Sequence, residues 1–243
     1  MKKVTIIAVL LIFSASQIWA QKNTSSPFPL IGESAPSFIA ESTTGTIHFP
    51  GDYSNKWKIL FSHPADFTPV CTSELLDLAA MQDDFNNLGT QIVVISVNDV
   101  ASHTQWEKSM ESINYKNRQA SMIKFPLVGD NTLEISRKYG MVQPSSNSTK
   151  DVRGVFIIDP KNTIRAIFFY PMNIGRNMDE IKRTVLALQT SDKQNVLTPS
   201  GWQPGGDVLL PYTKYTSDQE ALAKHNDPDL YKVTWYMWGT KLK

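Results

Sequence analysis

Cys71 is the single cysteine of the chain, and it follows Thr68 by three positions and Pro69 by two, where an apolar run ending at Ser62 gives way to helix-forming residues. Threonine is a favoured N-cap and proline suits the first helical position. The spacing therefore predicts Cys71 in the first turn of a helix, near unpaired backbone N–H groups and the positive end of the helix dipole. Such surroundings favour the thiolate, the form of cysteine that acts as a nucleophile. One turn away, the Thr68 hydroxyl can either cap the helix or donate to the sulfur, because a hydroxyl both donates and accepts. A lone cysteine can equally be a small buried hydrophobe, so its neighbours decide.

These residues need elements to hold them. Residues 58–62 and 91–97 are short apolar runs of the kind found in sheets covered on both faces. Between them Leu75, Leu76, Leu78, Ala79, Phe85 and Leu88 form a helical face that Gly89 ends. A second helix is predicted over 102–112, after the turn-prone Asn98-Asp99. Residues 154–159 and 163–169 read as strands of an antiparallel hairpin through Pro160-Lys161-Asn162. An amphipathic helix over 177–189 can then cover the sheet. The alternation of strand and helix predicts an α/β fold. Beyond residue 189, Pro199, Pro204, Gly205-Gly206, Pro211 and Pro228 interrupt any periodicity, which places a boundary there and an appended arm over 190–243.

Composition narrows the function classes. With 243 residues, 41% apolar and 10% aromatic, the chain can bury a sizeable core. A net charge of +1 gives no electrostatic case for binding nucleic acid. The four histidines, His48, His63, His103 and His225, stand far apart without metal-ligand spacing, so no metal and no other cofactor is expected. Residues 1–20 have the three-part form of a secretory signal peptide: Lys2-Lys3, an apolar run over 4–13, then small and polar residues to Trp19-Ala20. Cleavage is expected after Ala20. The apolar run falls short of the roughly twenty residues that span a bilayer, so no stable membrane anchor is expected. Without Lys2 and Lys3 the chain holds 22 basic against 23 acidic residues. The expected destination is the periplasm or the exterior, where one cysteine allows no intrachain disulfide.

The series Ser62-His63-Pro64-Ala65-Asp66-Phe67-Thr68-Pro69-Val70-Cys71-Thr72-Ser73-Glu74 resembles the active-site motif of the peroxiredoxins. The resemblance extends through Ile31-Gly32-Glu33-Ser34-Ala35-Pro36 and Arg153-Gly154-Val155-Phe156. Tyr170-Pro171-Met172-Asn173-Ile174-Gly175-Arg176 and Trp202-Gln203-Pro204-Gly205-Gly206-Asp207 are similar to the one-cysteine, long-tailed subgroup, and coverage runs from about 28 to 240. The resemblance implies a thioredoxin-like fold over 21–189, with a mixed central sheet flanked by helices and a C-terminal extension. It also implies a thiol peroxidase in which Cys71 attacks hydrogen peroxide or an organic hydroperoxide and becomes a sulfenic acid.

By the same resemblance Thr68 orients peroxide, Pro64 shields the thiolate, and Arg153 stabilises the thiolate and polarises the peroxide. Glu74 and Arg176 orient that arginine, and His63 lies near the thiol. With no second cysteine, recycling needs an external thiol, either small, such as glutathione, or on a thioredoxin-like protein. Homodimers or higher assemblies through the arm are implied too. A phospholipase activity known in some one-cysteine relatives is not expected, because 54–58 reads Ser-Asn-Lys-Trp-Lys and lacks the nucleophile elbow. Two rival readings are a client-binding chaperone, which would be indifferent to Cys71, and a thiol-disulfide oxidoreductase, which normally uses a Cys-x-x-Cys pair that this chain lacks.

Overall fold

The computed structural model describes residues 28–142, 149–211 and 217–242. The expected signal peptide and its cleavage point lie outside these residues. At the centre is β3 (Trp57–Ser62), followed by α1 (Pro69–Asn87), β4 (Thr90–Ser96) and α2 (Val100–Met110). Strand β3 runs parallel to β4 and antiparallel to β8 (Arg153–Ile158), which pairs in turn with β9 (Ile164–Tyr170). On the other side β4 is parallel to β7 (Leu127–Gly129), and the hairpin of β1 (Phe38–Ser42) and β2 (Gly45–Phe49) closes that edge. The seven-stranded order is β2-β1-β7-β4-β3-β8-β9. This is a thioredoxin-like mixed sheet. A separate two-stranded ribbon pairs β5 (Asn114–Tyr115) with β6 (Arg118–Gln119).

Strand alternation feeds two cores. Ile59, Phe61, Ile92, Val94, Val155 and Ile157 face one side, where residues of α1, α2 and α4 (Met178–Gln194) pack. Leu60, Val93, Ile95, Phe156 and Ile158 face the other, against residues of the first hairpin and α3 (Glu134–Lys138). Burying an aliphatic or aromatic side chain of this size stabilises by about 1.5–3 kcal/mol, so the runs without polar alternation are what a doubly covered sheet requires. Ile59, Leu60 and Phe61 are fully buried.

Helix ends explain where expectation and structure differ. Helix α2 starts at Val100 because Asp99 is its N-cap, accepting from the Ser102 amide at 2.8 Å, and it ends at Met110 rather than 112. Helix α4 runs past residue 189 to Gln194, where Asn195 caps it in the left-handed region at φ 52°. The arm therefore leaves the helix five residues later than the proline and glycine pattern suggests. It packs back through Trp202, Val196 and Val208 against Ala187 of α4. Beyond them β10 (Val208–Leu209), β12 (Met237–Thr240) and β11 (Tyr231–Thr234) form a small sheet beside α5 (Asp218–His225).

Candidate active site

Thr68 is the N-cap residue of α1, with extended backbone at φ −113° and ψ 145°, and Pro69 opens the helix. Cys71 is thus its third residue, within the turn whose N–H groups lack helical partners. Its side chain is fully buried. Strand β8 enters antiparallel to β3 and delivers Arg153, whose Nη1 lies 3.4 Å from the Cys71 sulfur. The same Nη1 donates to Glu74 Oε2 at 2.6 Å, while Nε donates to the Met172 carbonyl at 2.9 Å and Nη2 donates to that carbonyl as well.

Glu74 stands one turn after the cysteine and anchors a second guanidinium. Its Oε1 accepts from the Arg176 amide and Nε, both at 2.8 Å, and its Oε2 accepts from Arg176 Nη2 at 2.7 Å. The remaining Arg176 Nη1 donates to the carbonyls of Ser62 and Gly154 at 2.7 and 2.8 Å, and the guanidinium carbon lies 3.3 Å from the Phe61 ring centroid. Burial presses the Arg176 pKa below its ordinary range, and the bonds to Glu74 oppose that shift. Gly154 also fits a close space: a Cβ there would meet Ser62 Oγ at 3.0 Å and the Phe169 ring at 3.2 Å.

Two arginines against one carboxylate leave a surplus positive charge in a buried cluster. A thiolate at Cys71 would make the cluster neutral. An uncompensated buried charge is costly and a paired, hydrogen-bonded one is not, so the cluster is arranged to receive one negative charge beside Arg153.

The other expected residues take varied places. Pro64 is buried in the turn between β3 and α1. Thr68 makes no side-chain cap; its Oγ1 donates instead to the Ala65 carbonyl at 2.9 Å, so the hydroxyl must rotate before it can donate to sulfur or peroxide. His63 is fully buried, 5.0 Å from the Trp106 ring between centroids, and neither ring nitrogen has a hydrogen-bond partner. Its pKa lies well below 6.5, first because burial penalises the cation and then because of His103 and Arg176. An apolar groove of about 350 Å³ runs beside the first turn of α1, lined by Phe67, Pro69, Leu76, Trp106, Ile113 and Tyr115 among others.

One cluster escaped the sequence. His63, Asp66 and His103 bring donor atoms within 4.8 Å of one another, close enough in principle to hold an ion. Two of these atoms are already engaged with each other, His103 Nδ1 and Asp66 Oδ1 at 2.9 Å. The histidines are forty positions apart in sequence, and only the adjacency of β3 and α2 across β4 joins them.

The chain is similar to known proteins over most of its length. Residues 31–167 match the AhpC/TSA family, and residues 187–224 match the C-terminal domain of 1-Cys peroxiredoxin. A peroxiredoxin of Methanosarcina mazei is 52% identical over 184 residues, covering 75% of this chain and 84% of its own. A mitochondrial peroxiredoxin of Saccharomyces cerevisiae is 40% identical over 228 residues, covering 91% and 84%. Among solved structures, the yeast mitochondrial 1-Cys peroxiredoxin, studied for thiol resolution via glutathione/thioredoxin systems, superposes with a TM-score of 0.75 at 37% identity, covering 88% of this chain and all of that one. A mutant of the peroxiredoxin 6 of Arenicola marina gives 0.77 at 32% identity, covering 88% and 99%. By both family matches and by these relatives, the chain belongs to the peroxiredoxins, thiol-dependent peroxidases, in their one-cysteine, long-tailed subgroup.

Proposed function

We propose that Cys71 reduces hydrogen peroxide and organic hydroperoxides through a sulfenic acid, and that an external thiol recycles it. The observation that carries this reading is Arg153 Nη1 at 3.4 Å from the sulfur, within a cluster that a thiolate would neutralise. The thiolate attacks the terminal peroxide oxygen, the O–O bond breaks, and the departing oxygen takes a proton to leave as water or alcohol. Arg153 stabilises the charge that develops on that oxygen. Thr68, once rotated away from Ala65, donates to the bound peroxide, and Pro64 presents no N–H that would compete. The apolar groove beside Thr68 suits the alkyl part of an organic hydroperoxide.

Recycling follows from the cysteine count. A first external thiol condenses with the sulfenic acid and releases water, and a second displaces Cys71 from the mixed disulfide. The yeast relative's link to glutathione/thioredoxin systems supports a small thiol or a thioredoxin-like protein as donor. We further propose export to the periplasm or exterior, from the form of residues 1–20, and a homodimer or larger assembly through the arm, where Val233, Trp235 and Tyr236 are exposed. Among the described residues no helix is long and apolar enough to cross a membrane.

The test mixes reduced protein with a slight excess of hydrogen peroxide and follows sulfenic acid trapping by mass spectrometry, with Cys71→Ser as control. Rapid stoichiometric oxidation at Cys71 is expected. A rate no faster than that of an ordinary thiol would return the chaperone reading to the front.

A further inference from the structure

Asp66 lies in the turn that links β3 to α1, and its carboxylate is almost fully buried, with a side-chain exposure of 1%. Three hydrogen bonds hold the residue, all from residues 98–103, and His63 Nε2 lies 3.6 Å from its Oδ1. Its amide donates to Asn98 Oδ1 at 3.0 Å, its Oδ2 accepts from Ser102 Oγ at 2.6 Å, and its Oδ1 is bonded to His103 Nδ1 at 2.9 Å. The opposite nitrogen of His103, Nε2, lies 3.1 Å from the Val128 carbonyl. A carbonyl only accepts, so Nε2 carries a hydrogen. The bond from Nδ1 to the carboxylate is short and buried at both ends, so ring and carboxylate hold each other in place.

The turn needs such a tether. Phe67 sits at φ 53°, in the left-handed region that costs a residue with a side chain about 1–2 kcal/mol. It is 57% exposed, so burial of its own ring contributes little to holding it there. Asp66 immediately precedes it, and the next residue is Thr68, whose hydroxyl donates back to Ala65 and whose carbonyl accepts from the Thr72 amide at 2.9 Å. Any shift of Asp66 therefore passes to Thr68 and the turn that holds Cys71.

We propose that Asp66 is a positioning residue for peroxide reduction: the first turn of α2, through Ser102 and His103, clamps its carboxylate and thereby sets Thr68 relative to Cys71. This rests on the reading of Cys71 as the peroxide-reactive thiol. Arg153 and Arg176 are bonded to Glu74 and not to Asp66, so the arginine cluster keeps its partners when the Asp66 carboxylate is removed and the geometry of the turn is what the substitution alters.

The experiment compares two rates at Cys71 in the same proteins, single-turnover oxidation by hydrogen peroxide and alkylation by iodoacetamide. Alkylation needs the thiolate but not the aligned peroxide. Asp66→Ala and His103→Leu are expected to slow oxidation about 10- to 100-fold, the scale of a misplacement near 1 Å, with alkylation slowed less than about 3-fold. His103→Asn keeps a side-chain donor and is expected to recover oxidation to within about 5-fold of the parent. Should the larger substitutions fail to fold, Ser102→Ala removes one contact and is expected to lower the ratio of the two rates about 3- to 10-fold. Parallel loss of both rates, unchanged oxidation, or no recovery with His103→Asn overturns the clamp. A parent protein that oxidises no faster than a free thiol overturns the reading of Cys71 instead.

Discussion

Two buried polar clusters flank the segment that carries Cys71, and they differ in how completely their atoms are paired. In the arginine cluster every oxygen of Glu74 accepts two hydrogen bonds, and both guanidinium groups also reach backbone carbonyls. In the histidine cluster Asp66 and His103 are well bonded, but His63 has no hydrogen bond at either nitrogen. The first cluster is rigid and charged, which serves to stabilise a charge that appears during reaction. The second ties down a turn and leaves one ring packed against Trp106, with its Nε2 3.6 Å from Asp66 Oδ1, beyond hydrogen-bond reach. Buried charge is tolerated where it is fully partnered, and an orphaned polar ring is tolerated where it stays neutral.

Substitutions can break that contrast. The largest effect is expected from Glu74→Gln, which leaves two buried guanidinium groups without their carboxylate; the loss should be about 3–5 kcal/mol, read from the urea unfolding midpoint. An unchanged midpoint would mean that the arginines are not dependent on Glu74. Arg153→Met should next lower the peroxide rate constant about 10²- to 10³-fold, the scale of removing one preorganised donor. Stopped-flow oxidation of Cys71 measures it, and a drop under tenfold would move the catalytic charge elsewhere.

Partly paired groups should show themselves through pH. Asp151 has one buried oxygen without a partner, its other oxygen accepts from Ser136 Oγ at 3.2 Å, and burial pushes its pKa up to about 8. The folded state then holds a proton that the unfolded state releases above about 4, so stability is lost as pH rises from about 4 through about 8. Asp151→Asn should therefore gain on the parent by about 3–4 kcal/mol between pH 5 and pH 8, read from thermal unfolding at each pH. His63 tilts the other way. Its lowered pKa means that the unfolded state takes up a proton first as pH falls below 6.5, and stability is lost on the acid side. His63→Phe should gain on the parent as pH falls from 7.5 to 5; a flat difference would show that the folded protein takes up the proton as readily as the unfolded chain.

The sequence was most legible where runs were long and local. Strands β3, β4, β8 and β9 and helix α1 lie close to their predicted limits because unbroken apolar runs and a Thr-Pro start are read within one window. The three-residue β7, the five-residue α3 and the arm's small sheet were not legible, since their short segments gain stability only from distant partners. The site divides the same way. Cys71, Thr68 and Pro64 share one stretch, whereas Arg153 is 82 positions from Cys71 and was reached only through likeness to a family. Asp66, Ser102 and His103 were missed altogether: a caught carboxylate and a surface one look alike until β4 sets α2 beside the turn.

Gly154 has a consequence for anyone who would move this chemistry to another scaffold. Its missing methyl group lets β8 lie against Ser62 and Phe169 while its carbonyl receives Arg176. A position without a side chain is thus a part of the frame around the arginines. Grafting Cys71, Glu74 and both arginines onto a sheet with a bulkier residue at that position would press its side chain on the counterparts of Ser62 Oγ and the Phe169 ring, in the residue whose carbonyl receives Arg176.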